Sequence, residues 1–299
     1  MTSGKTMPPS ENPAFVFIHG AWSNHHTWDK VVAILANKGF ASVAIDLPGA
    51  GANAAVPQSF RHRPLDREAF AAEPSPNGDV TQEERTAAVL NSLEKARTLG
   101  NGKVILVGHS LGGLTLNHVG EAAPEQLHAL VYLSAFMLPR GMDAVEFIRS
   151  APMSDAVVPS LFMADPEGVG AMRIDPTSDD PDYVAAMREA FCADASEEDF
   201  ELAKAQLHPD EPAQVATVQS PITPERFGCV PRHYICCSQD KAITIAGQKT
   251  LVSLVDTQLG NQTNVHVLDS SHEPFLSMPE AVCDILVHAA QSPHIRGNL

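Results

Sequence analysis

Gly108-His109-Ser110-Leu111-Gly112 follows the run Val104-Ile105-Leu106-Val107 and precedes Leu114-Thr115-Leu116. Four consecutive apolar residues suit a strand buried on both faces of a sheet, and the segment beyond the glycines reads as a helix. The join is a G-x-S-x-G sequence, which sets its serine on a sharp strand-to-helix turn. On so tight a turn, side chains flanking the serine would collide with the neighbouring strand and helix. The hydroxyl then lies at the positive end of a helix, a place to form an alkoxide and stabilise an anion. A glycine-rich loop that holds phosphate is the other reading of the same residues. The order of partner residues further along the chain decides between the two.

A chain of 299 residues can bury one large core, and alternating strands and helices favour a single α/β domain. The balance of 20 basic against 36 acidic residues gives a net charge of −16. That charge repels nucleic acid and anionic membrane surfaces, and no Lys/Arg-rich block overrides it. The stretch 1–13 is polar and proline-rich, and no apolar run is long enough to span a bilayer, so neither a secretory leader nor a membrane span is expected. Cys192, Cys229, Cys236, Cys237 and Cys283 fit no zinc spacing. Reduced thiols in a cytoplasmic protein are the expectation.

Outward from the serine, Phe15-Val16-Phe17-Ile18 reads as a first strand running into His19-Gly20-Ala21-Trp22. A helix from Thr27 follows, with Trp28, Val31, Val32, Ile34 and Leu35 on one face and Gly39 ending it. Residues 42–45 form a strand, and 50–80, rich in Ala, Pro and Arg without period, form a long surface excursion of no evident role. Thr81 with Glu84 makes a capping box for a helix that ends near Leu99. After the serine turn, 129–134 is a further buried strand.

From 138 to 228 the strand pattern stops, with helical segments at 183–191 and at 196–207, the latter with Asp199 completing a capping box. So long a stretch between core strands is no ordinary connection. It is expected to cap the carboxyl ends of the strands, where open α/β sheets bind ligands. Residues 1–137 and 229–299 are then the core. Residues 233–237 and 265–268 resume the sheet, a helix at 245–255 lies between them, and one from 279 to 290 closes the chain. The tail after Gln291 is expected to fray.

A serine hydroxyl needs a base, and the base needs an orienting acid. With the order Ser, Asp/Glu, His, each on a loop after a strand, the candidates are Ser110, Asp240 and His272. Asp269 is a rival acid, but it lies three residues from His272 on the same loop and is less able to reach Nδ1. The backbone N–H groups of Leu111 and Ala21 are expected to form the oxyanion hole. His19 is expected to shape that loop rather than transfer protons. Gly20, Phe136 and Met137 are expected to border the substrate, and the apolar residues nearby suggest small to medium hydrophobic esters. Adjacent His25 and His26 do not make a metal site, and no metal or cofactor is expected.

These residues resemble the α/β-hydrolase superfamily, and within it the plant methylesterases and α-hydroxynitrile lyases. The resemblance covers most of the chain. It includes Phe15 to Trp22, Gly108 to Gly113, Leu133-Ser134-Ala135-Phe136-Met137, Glu198-Asp199-Phe200-Glu201-Leu202-Ala203-Lys204, Gln239-Asp240-Lys241-Ala242-Ile243, and Asp269 to Phe275. It implies an α/β-hydrolase fold, with the subgroup's acid at Asp240 and its base at His272. The insertion after Asp46 and the acidic stretch 165–182 depart from the subgroup's pattern.

Two chemistries share that triad. The lyases carry threonine after the first histidine and lysine after the catalytic one, where this chain has Gly20 and Glu273. Gly20 offers no hydroxyl and Glu273 would repel cyanide, so the resemblance implies an esterase acting on a small-molecule ester. A hydroxynitrile lyase and a ligand-binding receptor on the same fold are the alternatives, and a homodimer is left open.

Overall fold

The computed structural model describes residues 11–292. The reading of the amino-terminal stretch through residue 10, and of the tail from 293 onward, lies outside the described residues. A six-stranded, all-parallel sheet forms the centre. Its strands in chain order are β1 (Ala14–Ile18), β2 (Ser42–Ile45), β3 (Val104–Ser110) and β4 (Leu127–Ala135). A short pair within 138–228, β5 (Ala171–Arg173) and β6 (Asp210–Pro212), precedes the last central strands, β7 (Arg232–Cys237) and β8 (Asn264–Leu268).

Alternation along the strands explains the layers. Ala14, Val16 and Ile18 of β1, with Val104 and Leu106 of β3, face helices Gln82–Arg97, Gly112–Ala122 and Ile245–Leu259. Phe15, Phe17, Ile105 and Val107 face helices Asp29–Asn37 and Pro279–Gln291 on the other side. Most core strand positions are therefore buried on both faces, as their unbroken apolar runs require.

The strand order β2-β1-β3-β4-β7-β8 matters most for function. The chain moves outward from β1 to β2 and then returns to the other side of β1 as β3. Ligands bind at such a reversal, beyond the carboxyl ends of the strands. Ile18 pairs with Gly108 across that reversal, so the loop after β1 and the serine turn after β3 are neighbours.

The expected capping box closes as read: the Glu84 N–H donates to Thr81 Oγ1 at 3.1 Å, and the Thr81 N–H donates to Glu84 Oε2 at 2.8 Å. The box at Ser196 is only half made. The Asp199 N–H donates to Ser196 Oγ at 3.1 Å, but the Asp199 carboxylate accepts from that hydroxyl and from Lys30 instead of the cap's backbone. Aspartate is one methylene shorter than the glutamate a full box uses.

The segment 138–228 does contain strands, contrary to the sequence reading. β5 and β6 pair antiparallel, and Arg173 and Asp210 in them are completely buried. Arg173 Nε and Nη2 donate to the Asp210 carboxylate at 2.7 and 2.8 Å. Arg173 Nη1 donates to the carbonyls of Phe70 and Glu73, and the guanidinium lies over the Phe70 ring. The excursion at 50–80 therefore supports the β5–β6 pair, through its helix Arg67–Ala72.

On β7, one strand in from the edge of the sheet, His233 is buried, with its Nδ1 3.1 Å from His266 Nε2 on the edge strand β8. Burial first, and then the neighbouring His266, His288 and His128, push the His233 pKa down to about 4. The unfolded chain therefore binds a proton between about pH 6.5 and 4 that the folded chain refuses. His233 should contribute stability above pH 6.5 that is lost as pH falls toward 4, up to about 3 kcal/mol. Urea midpoints across that range should flatten in His233→Phe; an unchanged pH slope would contradict this account.

No helix of the described residues is long and apolar enough to cross a membrane.

Candidate active site

Ser110 ends β3 at a φ of 52°, in the left-handed region, the strain expected of a nucleophile on a strand-to-helix turn. Leu111 follows and opens helix Gly112–Ala122, so the serine lies at that helix's positive end. The neighbouring glycines allow backbone to approach backbone. A Cβ on Gly112 would stand 2.5 Å from the His19 carbonyl oxygen, and one on Gly113 would stand 2.8 Å from that of Phe136.

Gly20 meets the nucleophile itself: a Cβ there would lie 2.8 Å from Ser110 Cβ and 2.9 Å from His109 Nδ1. Any side chain at residue 20 would displace the serine or the histidine before it. That includes the threonine of the lyases.

His19 organises the loop after β1. Its Nε2 accepts from the Leu47 N–H at 3.1 Å, which leaves Nδ1 protonated to donate to the Gly20 carbonyl at 2.8 Å. Burial lowers the His19 pKa, in keeping with a neutral ring. Across a trans peptide, the Ala21 N–H points away from the Gly20 carbonyl. Holding that carbonyl therefore also sets the direction of the amide expected to bind an oxyanion.

The next residue, Trp22, is tied from the other side. Its N–H donates to Glu211 Oε2 at 3.1 Å, and its indole Nε1 donates to the Met172 carbonyl at 2.7 Å. Glu211 Oε1 in turn accepts from Arg85 at 2.6 Å.

Asp240 follows β7 and His272 follows β8, and both are almost wholly buried. His272 Nδ1 lies 2.7 Å from Asp240 Oδ2. Asp240 Oδ1 accepts from the backbone N–H groups of Ala242 and Ile243 at 2.7 and 2.9 Å, and Oδ2 accepts from Gln248 Nε2 at 3.0 Å and from the Ser134 hydroxyl. So many donors fix the orientation of the carboxylate. The rival Asp269 is engaged at the surface, where Ser238 and Gln239 donate to it and lower its pKa.

His109 braces the base from below. Its Nε2 donates to the His272 backbone carbonyl at 3.1 Å, and its ring centroid lies 4.4 Å from that of His272. Burial, with the nearby His272 adding to it, pushes the His109 pKa well down, so the brace is a neutral ring.

Ser110 and His272 share one niche, lined also by Ala21, Trp22, His109, Phe191, Leu207 and Glu273. Its free volume is about 10 Å³, room for a single water. Ser110 Oγ and the imidazole make no hydrogen bond there, a looseness common before substrate binds. Phe191, Leu207 and Glu273 also line an adjoining cavity of about 170 Å³, bounded by Lys30, Asp199 and Phe200.

Of the residues expected to border the substrate, Gly20 lies behind the nucleophile rather than in the niche wall. Phe136 and Met137 are not in that wall either. Met137 is wholly buried in the sheet core and Phe136 packs edge-on against Phe147. An apolar run after a strand reads alike for core and for pocket. The sequence reading also passed over Ser134, Gln248 and the walls Trp22, Phe191 and Leu207. His25 and His26 are paired with Asp46 and Asp29, and no metal-ligand cluster occurs among the described residues.

The model of the alpha/beta hydrolase family matches residues 15–285. Polyneuridine aldehyde esterase from Rauvolfia serpentina is 28% identical over 286 residues, 93% of this chain and 96% of that protein. Putative methylesterase 13, chloroplastic, from Arabidopsis thaliana is 24% identical over 95% of this chain, which spans only 57% of that longer relative. Among solved structures, a pyrethroid hydrolase from Sphingobium faniae JZ-2 superposes with a TM-score of 0.73 at 24% identity, covering 94% of this chain and 98% of that one, a likeness of fold. A parallel sheet reversing at β1 and β3, a strained serine at that reversal and a family match over nearly the whole length agree: the chain belongs to the alpha/beta hydrolase family.

Proposed function

We propose that this protein hydrolyses carboxylic esters through an acyl-enzyme on Ser110, acting on small to medium hydrophobic esters. The observation that carries the reading is the 2.7 Å contact of Asp240 with His272 at a niche that also holds Ser110. His272 takes the Ser110 proton as Oγ attacks the ester carbonyl, and the N–H groups of Leu111 and Ala21 hold the oxyanion. Asp240 keeps the imidazole in the Nδ1–H tautomer and stabilises the imidazolium. His272 then protonates the departing alcohol and, in the second half, activates water to release the acid.

The relatives' names, an esterase and a methylesterase, support the same chemistry. Cyanohydrin cleavage is disfavoured by the crowding at Gly20 and the carboxyl at Glu273. Residues 138–228 serve as a lid in this reading, a role supported by Phe191 and Leu207, which reach the niche from that segment. A cytoplasmic setting is supported by the five cysteines, all unpaired.

The test is hydrolysis of p-nitrophenyl acetate during titration with a fluorophosphonate. Activity should fall in proportion to Ser110 labelled, as mapped by peptide mass. Turnover that survives complete labelling would remove the reading.

A further inference from the structure

Glu273 follows the base in sequence and is only 7% exposed, yet among the described residues its carboxyl makes no hydrogen bond and no ion pair. It stands at the wall between the catalytic niche and the larger cavity, lining both. A carboxyl that no protein group donates to, and that water reaches only through those two cavities, is poorly solvated, and a partner in that position improves on it. No cation of the two cavity walls is free to be that partner. In the larger cavity Lys30 is engaged by Asp199 at 2.6 Å, and Lys204 by Glu201 at 3.0 Å. The imidazole of His272 is turned to Asp240. The cost of this arrangement is visible in the carboxyl itself, whose pKa burial raises to about 7, with His272 opposing and Asp240 adding to the rise.

The surroundings favour a positive charge over a neutral donor. The Trp22 and Phe191 rings line the niche beside Glu273, and aromatic faces attract ammonium groups. The chain's net charge of −16 raises the concentration of cations near its surface. A hydroxyl would satisfy one oxygen, whereas an ammonium group would satisfy the carboxylate and neutralise it.

Building on the proposed ester hydrolysis at Ser110, we propose that Glu273 is a specificity-determining residue that selects esters carrying a protonated amine. The ammonium group sits against the Glu273 carboxylate at the wall between niche and cavity, with the ester carbonyl at Ser110. The amine exchanges water for a carboxylate and two aromatic faces, and Glu273 gains the partner it lacks.

The experiment compares kcat/KM for 2-(dimethylamino)ethyl acetate and its hydrocarbon isostere 3-methylbutyl acetate, near neutral pH, in the wild type, Glu273→Gln and Glu273→Met. Because both esters use the same triad, the ratio cancels any common effect on it. The wild type should favour the amine ester about tenfold, as one cation–carboxylate contact with aromatic support allows. The ratio should fall in Glu273→Gln, which keeps the shape, and reach unity or below in Glu273→Met. A wild-type ratio near unity, or a ratio that both variants retain, overturns the inference. If the wild type shows that flat ratio while turning over p-nitrophenyl acetate, the selection by Glu273 fails and ester hydrolysis stands. If none of the three esters is hydrolysed, both fail.

Discussion

Replacing Ser110 with alanine is expected to lower kcat for p-nitrophenyl acetate by about a million-fold, the scale seen when a triad nucleophile is removed. The variant keeps the Cβ, the backbone turn and the Asp240–His272 contact, so only the atom that would carry the acyl group is lost. A residual rate about a thousand-fold or more above that in water should persist, from amides that still stabilise an oxyanion for attack by water. Stability should change by no more than about 0.5 kcal/mol, because the hydroxyl makes no hydrogen bond among the described residues. Burst-free steady-state rates and a thermal midpoint, measured on one preparation, check both halves. Activity within a hundredth or so of the wild type would mean that another group attacks the ester.

Asp240→Asn should cost about ten-thousand-fold in kcat, through the tautomer rather than through geometry. The two oxygens of Asp240 are not equivalent. Oδ1 accepts from two backbone N–H groups, which an asparagine can satisfy only with its oxygen. The amide nitrogen is then forced toward His272 Nδ1, where it donates and pushes the imidazole proton onto Nε2. In that form the imidazole cannot accept the Ser110 proton. The same nitrogen would also face Gln248 Nε2, donor against donor, so a loss of about 1–3 kcal/mol in stability should accompany the lost rate. Raising the pH should restore part of the activity, as hydroxide strips the misplaced proton. A variant within tenfold of the wild type at neutral pH would show that the carboxylate does not set the tautomer.

The parts of this molecule that can be read from its residues are those whose physics is local. Apolar runs such as Val104 to Val107 announce buried parallel strands, and Ser110 between glycines announces the turn. Asp240 and His272 follow from chain order, since each sits on the loop after a strand, and the structure brings these two into contact. What escaped are features made by tertiary approach. Ser134 reaches Asp240 from β4 and Gln248 from a helix, and neither has a spacing that would betray it. The niche walls come from residues 22, 191, 207 and 273, whose proximity no periodicity encodes. β5 and β6 are three residues long, and the charges in them resemble loop until Arg173 and Asp210 are seen paired.

Arg173 has a further consequence for anyone reshaping this scaffold. Its guanidinium draws partners from two separate segments, Asp210 in one and the carbonyls of Phe70 and Glu73 in the other. Neither piece can be transplanted into another hydrolase, or trimmed to make a minimal version, without stranding a charge in the interior. The two must travel together, or Arg173 and Asp210 must be exchanged as a couple for apolar residues of similar volume. Segments far apart in the chain thus form a single structural unit.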